Sequence, residues 1–269
     1  MPFAECGRYR LHYEVQGHPD SPPLLLVMGM GMPASAWVTL PVRLAQRFRV
    51  ITFDNRGTGG STAPRGRLRI RDMADDAARV LDAAGVERAD VFGISMGGMI
   101  AQELVLRHPQ RVRRLVLGAT FSSHRRSRKP KLSVAADLAR AVLMGRRLRP
   151  MARLLISDEF FDRAPNDFAS WLSRTSPARV RTVRKQLVAV VLHESDRRLA
   201  SIRAPTLVVS GDRDRLVPVE NSRRLSRIIP RARLLELPGA GHAFPFERPV
   251  ETIRALTEHC LAAQTLAAG

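Results

Sequence analysis

Apolar and polar positions along this chain fall into short runs with two alternating rhythms. Tyr9 to Val15 alternates with period two, behind a short first strand near Phe3. The cluster from Gly17 to Pro23 then turns the chain. Leu24-Leu25-Leu26-Val27 is a continuous apolar run that ends at Gly29. Such a run predicts a strand buried on both faces of a mostly parallel sheet. Ala36 to Gln46 predicts a helix, and Arg49 to Phe53 the next strand, closed by the turn-rich segment Asp54 to Ser61. Ile70 to Ala84 sets Met73, Ala77, Val80, Leu81 and Ala84 on one helical face, and Gly85 stops it. Ala89 to Ile94 predicts a strand, Met99 to Arg107 a helix closed before Pro109, and Val112 to Leu117 another strand.

The rhythm then breaks. Leu132 to Ser195 holds helical segments without strand-helix alternation, and predicts a helical insertion. Strands resume at Pro205 to Ser210, followed by a helix from Val219 to Ile229, a strand from Arg233 to Leu237 and a last helix from Val250 to about Ala262. Alternating strands and helices predict an α/β fold with a mostly parallel central sheet and helices on both faces. The expected division is a core of residues 1–121 and 202–269 with a helical cap at 122–201.

The 269 residues suffice for one large domain with a sizeable core. No apolar run reaches the length of a membrane span. The segment Met1 to Cys6 lacks a basic region followed by an apolar one, so the expectation is a cytoplasmic protein without a secretory leader. Cys6 and Cys260 stand at opposite ends, which predicts two reduced structural thiols. The net charge is +19, carried mostly by arginine. Residues 122–201 hold 18 basic and 7 acidic residues, so the excess concentrates in the insertion. Sparse aromatics and the lack of a nucleic-acid motif argue against a nucleic-acid partner. An anionic substrate or an acidic carrier protein remains compatible with the charge.

The chemistry concentrates at Gly93-Ile94-Ser95-Met96-Gly97. This G-x-S-x-G stands between a predicted strand and a predicted helix. It predicts a sharp turn that projects the Ser95 hydroxyl as a nucleophile. A serine hydroxyl needs a base within reach and a third group to orient that base. His242, in the Gly-rich segment Pro238 to His242, follows a strand and is the candidate base. The orienting acid should follow the strand that ends at Ser210-Gly211, where Asp212 and Asp214 compete. His193, near the end of the insertion, is a candidate for the substrate pocket.

These motifs resemble those of the α/β-hydrolases, over nearly all of the chain outside the insertion. Met28-Gly29-Met30-Gly31 matches the oxyanion loop, and Asp54 to Ser61 matches D-x-R-G-x-G-x-S. Gly93 to Gly97 matches the nucleophile turn, Gly211 to Pro218 matches G-x-x-D-x-x-x-P, and Gly239 to His242 matches G-x-G-H. The resemblance implies Asp214 as the acid, and backbone N–H groups of Met30 and Met96 as oxyanion donors. It departs at Met28-Gly29, where many members carry His-Gly. Asp54 and Arg56 are read as buttresses of turn geometry.

Within the family, Leu24 to Trp37 and Gly239 to Pro245 are most similar to small esterases of the aclacinomycin methylesterase and 3-oxoadipate enol-lactonase kind. That implies hydrolysis of an ester or lactone of a small to medium, largely apolar molecule, through an acyl-enzyme and without metal or cofactor. The expected pocket residues are Met28, Trp37, Phe160, Phe161, Trp171 and His193. A thioesterase or acyltransferase acting on a carrier-bound substrate, a carbon–carbon bond hydrolase and a non-catalytic binding protein are the alternatives on this fold.

Overall fold

Strand side chains alternate between two apolar half-cores, one on each face of a single sheet. The computed structural model describes residues 2–63, 65–144, 153–175 and 178–262. Its strands are β1 (Phe3–Glu5), β2 (Arg10–Gln16), β3 (Pro23–Val27), β4 (Arg49–Phe53), β5 (Ala89–Ile94), β6 (Val112–Gly118), β7 (Thr206–Gly211) and β8 (Ala232–Leu237). They form one eight-stranded sheet in the order β1-β2-β4-β3-β5-β6-β7-β8. The β1–β2 and β2–β4 pairs are antiparallel, and all others are parallel.

Period-two alternation assigns the side chains. Leu25, Val27, Val91, Leu115 and Val208 enter one half-core, beneath the helices α2 (Ile70–Ala83) and α3 (Met96–Arg107). Leu24, Leu26, Phe92, Val116 and Val209 enter the other, beneath α1 (Leu40–Leu44) and the C-terminal helix Pro249–Leu261. Burial on both faces explains why β5 and β7 are mostly apolar or small; the exception, Asp90 of β5, is buried against Arg113.

One expected helix is broken. Ala36 to Gln46 is not continuous: a short 3₁₀ turn, Ala34–Trp37, precedes α1, and Val38 between them has φ 54°. Pro41 has no N–H to give and crowds the preceding turn, so the chain restarts its helix there. In the other direction, α3 begins at Met96, three residues before the predicted start.

Between β6 and β7 the chain makes an excursion through α4 (Leu132–Met144), α5 (Asp158–Arg163), α6 (Pro165–Arg174) and α7 (Val180–Val191). Its ends are clamped together. Ser123 and Glu194 form an antiparallel bridge, the Ser123 hydroxyl donates to Glu194 at 2.6 Å, and the Ser195 N–H donates to the Ser122 carbonyl at 2.9 Å. Arginines of this region partly neutralise buried carboxylates: Arg126 pairs with Asp196, and Arg198 with Glu103 of α3. Cys6 and Cys260 are both free and buried. No described helix is long and apolar enough to cross a membrane. Between β7 and β8 lies α8 (Glu220–Ile228), and after β8 come α9 (Phe244–Glu247) and α10 (Pro249–Leu261).

Because β3, β5, β7 and β8 run in parallel, the loops that follow them gather at one sheet edge, where ligands of open α/β sheets bind. The loops carrying Gly29, Ser95, Asp214 and His242 all start there.

Candidate active site

Ser95 sits at φ 56°, ψ −121°, a conformation that a residue with a Cβ adopts only when its surroundings force it. The surroundings are tight. A Cβ at Gly93 would lie 2.2 Å from the Gly97 carbonyl oxygen, and one at Gly97 would lie 2.0 Å from the Val27 carbonyl oxygen. Strand, turn and helix therefore close only with glycine at both places. The Ser95 N–H donates to the Gly118 carbonyl at 2.8 Å, and the Thr120 hydroxyl donates to the Ser95 carbonyl at 2.7 Å. These bonds hold the strained turn from β6.

His242 Nδ1 lies 2.8 Å from Asp214 Oδ2, and both side chains are buried. The other Asp214 oxygen accepts the N–H groups of Leu216 at 2.9 Å and Val217 at 2.8 Å. Asp212 is exposed and accepts the Gly239 N–H at 2.8 Å, which braces the loop before His242 from the outside. The structure thus puts Asp214, and not Asp212, on the imidazole.

Glu247 holds the same loop from within. Its buried carboxylate accepts the Gly241 N–H at 2.8 Å, the Ser157 hydroxyl at 2.6 Å and the Ser157 N–H at 3.2 Å. The Ala243 N–H donates to the Leu155 carbonyl at 2.6 Å. Both neighbours of His242 are therefore anchored, one of them directly to the segment before α5. Burial pushes the Glu247 carboxyl above its ordinary range, against the pull of its hydrogen-bond donors.

The loop after β3 lies over the serine: a Cβ at Gly29 would come within 3.9 Å of Ser95 Oγ. The Met28 carbonyl accepts from the Asn55 side-chain amide at 2.9 Å. Asp54 ties the loop further, accepting the Ala34 N–H at 2.7 Å and the Gly60 N–H at 2.9 Å. Arg56 is paired with Asp76 and stacked over Tyr9, away from the serine. Gly31 gives its N–H to the Gln186 side chain at 2.7 Å. Among the described residues, no protein acceptor takes the N–H of Met30 or of Met96.

Ser95 and His242 line one cavity of about 250 Å³. Met28, Met30 and Met32 form one wall with Trp37. Leu138 of α4, Leu155 and Trp171 of α6 close it from the insertion, and Phe246 of α9 completes it. Of the expected pocket residues, Met28, Trp37 and Trp171 are in this lining. Phe160 and Phe161 are not. Phe160 packs edge-on to Phe246 at 5.5 Å and so backs the wall, while Phe161 lies under the Arg153 guanidinium. His193 is also outside. It is buried against Glu103 of α3, 3.8 Å away, because the clamp at Ser195 pulls this end of the insertion onto the core. Burial pulls its pKa down to about 4. Met96 packs into the α2/α3 half-core, leaving only its backbone toward the turn.

Leu138, Leu155, Phe246 and Gln186 were not among the residues expected here. Phe246 was within reach, since it stands one helical turn past His242. The others depend on how the insertion docks. Among the described residues, no cluster of side chains is arranged to hold a metal ion.

A serine on a strained turn after β5, with an Asp–His pair after β7 and β8, is the layout of one large class of hydrolytic folds. Residues 22–249 match the family model described as the alpha/beta hydrolase fold, and the chain belongs to that family. It is 34% identical over 268 residues to a protein of Azorhizobium caulinodans named as a carbamate hydrolase, RutD, covering 93% of this chain and 94% of the relative. It superimposes on a hydrolase from Pseudomonas aeruginosa with a TM-score of 0.84 and 28% identity, covering 97% of this chain and 98% of the other. The enol-lactonase of Burkholderia xenovorans gives a TM-score of 0.82 and 25% identity, covering 96% and 99%.

Proposed function

We propose that this chain is a serine hydrolase that cleaves the ester or lactone bond of a small to medium, largely apolar molecule. The observation that carries the reading is the buried His242–Asp214 pair, whose imidazole shares one apolar cavity with Ser95.

In this reading Ser95 Oγ attacks the carbonyl carbon while His242 Nε2 takes its proton. Asp214 accepts the Nδ1–H, fixes the tautomer and stabilises the imidazolium. The N–H groups of Met30 and Met96 receive the oxyanion. The choice of Met30 is supported by Gly31, whose own N–H is already engaged by Gln186. Each donor of this kind contributes roughly 3 kcal/mol to the barrier reduction. As the tetrahedral intermediate collapses, His242 returns the proton to the leaving alkoxide. Water, deprotonated by His242, then attacks the acyl-serine and releases the acid and the free hydroxyl.

A carbamate is the second reading, favoured by the 34% identical relative's name. The same attack on a carbamate carbonyl yields an amine or alcohol and a carbonic-acid derivative. A panel of p-nitrophenyl esters, lactones and carbamates, run on wild type and Ser95→Ala, decides between the two. Ser95→Ala should lower turnover by about three orders of magnitude or more. Near-normal turnover in that variant, or failure of Ser95 to take up a fluorophosphonate, defeats both readings.

A further inference from the structure

Gln186 stands at the centre of α7 with no exposed surface, a place where an amide is retained only with its hydrogen bonds made. Its Oε1 accepts the Gly31 N–H at 2.7 Å, and its Nε2 donates to the Arg56 carbonyl at 3.3 Å. One side chain thus joins the loop after β3, the loop after β4 and a helix of the insertion. The same stretch holds Gly31 at two more points. The Ala178 N–H donates to the Gly31 carbonyl at 2.9 Å. A Cβ at Gly31 would lie 3.2 Å from Val183, so α7 rests directly on that residue, which has φ 73°. Both polar groups of Gly31 are therefore fixed from the insertion, and none of these contacts reaches the cavity.

The N–H of Met30 belongs to the preceding peptide, which meets the Gly31 peptide at the Met30 Cα, and it has no acceptor among the described residues. We infer that Gln186 is a positioning residue for the oxyanion loop: by taking the Gly31 N–H it fixes where the Met30 N–H points, and makes the competence of the site depend on the seating of α7. The inference rests on the reading of Met30 as an oxyanion donor. Gln186 touches neither substrate nor Ser95. Its effect therefore belongs to the transition state, where the oxyanion forms, more than to the ground-state complex.

The test compares Gln186→Leu, which removes the acceptor, with Gln186→Glu, which keeps it, on one p-nitrophenyl ester and one alkylboronic acid. The boronate becomes tetrahedral on a serine hydroxyl and presents an oxygen to the oxyanion donors. Gln186→Leu should lower kcat by about 10–100-fold, the scale expected when a catalytic group is misplaced, with KM within about twofold. Boronate affinity should fall in parallel, the affinity for the carboxylate product should hold, and Gln186→Glu should recover most of both losses. A folded Gln186→Leu protein with kcat and boronate affinity within about twofold of wild type overturns the inference, and so does a folded Gln186→Glu protein that recovers neither loss. So does a loss that moves KM and product affinity equally, since that is the mark of a general structural defect. Ser95→Ala, assayed alongside, separates the two levels: full activity there defeats the hydrolase reading itself, whatever Gln186 does.

Discussion

His242 Nδ1 and Asp214 Oδ2 are 2.8 Å apart, and the second Asp214 oxygen is held by two backbone N–H groups from Leu216 and Val217. The carboxylate cannot rotate away from the imidazole without giving up those two bonds. Asp214→Asn keeps the shape but presents a donor or an amide oxygen where a carboxylate is needed. It should lower kcat for ester hydrolysis by about three to four orders of magnitude. Asp212→Asn, exposed and bonded to Gly239, should stay within a few fold of wild type. Comparable losses in the two variants would contradict the assignment.

The nucleophile turn sets a stability prediction that does not involve catalysis. A methyl at Gly97 would meet the Val27 carbonyl oxygen at 2.0 Å, and neither partner is a flexible side chain. Gly97→Ala should cost more than about 3 kcal/mol by overpacking, seen as loss of soluble protein or a large drop in denaturation midpoint. Gly85→Ala is the control. Gly85 has φ 65° with open space around it, so only the left-handed conformation is penalised, at roughly 1 kcal/mol.

Two buried histidines predict the acid side of the stability profile. Burial pulls both His193 and His259 down to about 4 from an ordinary 6.5. The unfolded chain takes up a proton at each as pH falls below about 6.5, and the folded chain does not until near 4. The stability these neutral rings contribute is therefore fully present above the unfolded pKa and is lost as pH falls through the window between the two values. Glu247, raised by burial, acts in the opposite sense. From pH 7 to pH 5, His193 alone should account for about 2 kcal/mol of lost stability. His193→Gln should shrink the pH 7 to pH 5 difference in urea-unfolding free energy by that amount. An unchanged difference would show that His193 titrates normally in the fold.

Much of this was readable from residues alone. The central strands β3, β5 and β7 are buried on both faces, so their runs stand out in any reading of the chain. Ser95 was legible because its glycines are forced by close backbone contacts, Gly93 by the turn itself and Gly97 by the neighbouring strand β3. Asp214 was less so: the strand end left Asp212 open, and only the spacing G-x-x-D of the family chose between them. The helix from Ala36 to Gln46 failed because Pro41 outweighs an otherwise helical composition. Met28, Trp37 and Trp171 were legible in the cavity wall, whereas Leu138, Leu155 and Phe246 were not, because the docking of the insertion is set over long sequence separations. Trp171 and Gln186 reach the core through bonds to Ala36 and Gly31, partners 135 and 155 residues away, and no local pattern encodes such docking.

The cavity wall supplied by α4 offers a test of substrate class. Leu138 is half-buried, lines the cavity together with Met28 and Trp37, and lies outside both half-cores. A change there should alter the space for an acyl group with little effect on folding. Each methylene that gains or loses an apolar contact is worth ~0.8 kcal/mol, or about fourfold in kcat/KM. Leu138→Trp adds the bulk of several methylenes. It should leave the acetyl p-nitrophenyl ester unchanged and reduce kcat/KM for the octanoyl ester by about tenfold or more, while the denaturation midpoint stays within the scatter expected of a surface substitution. Leu138→Ala should move selectivity the other way, toward longer acyl groups. Parallel changes for both esters would mean that the acyl chain leaves Ser95 by another route, along Phe246 and Pro245, and the same pair of substitutions at Phe246 would then locate it.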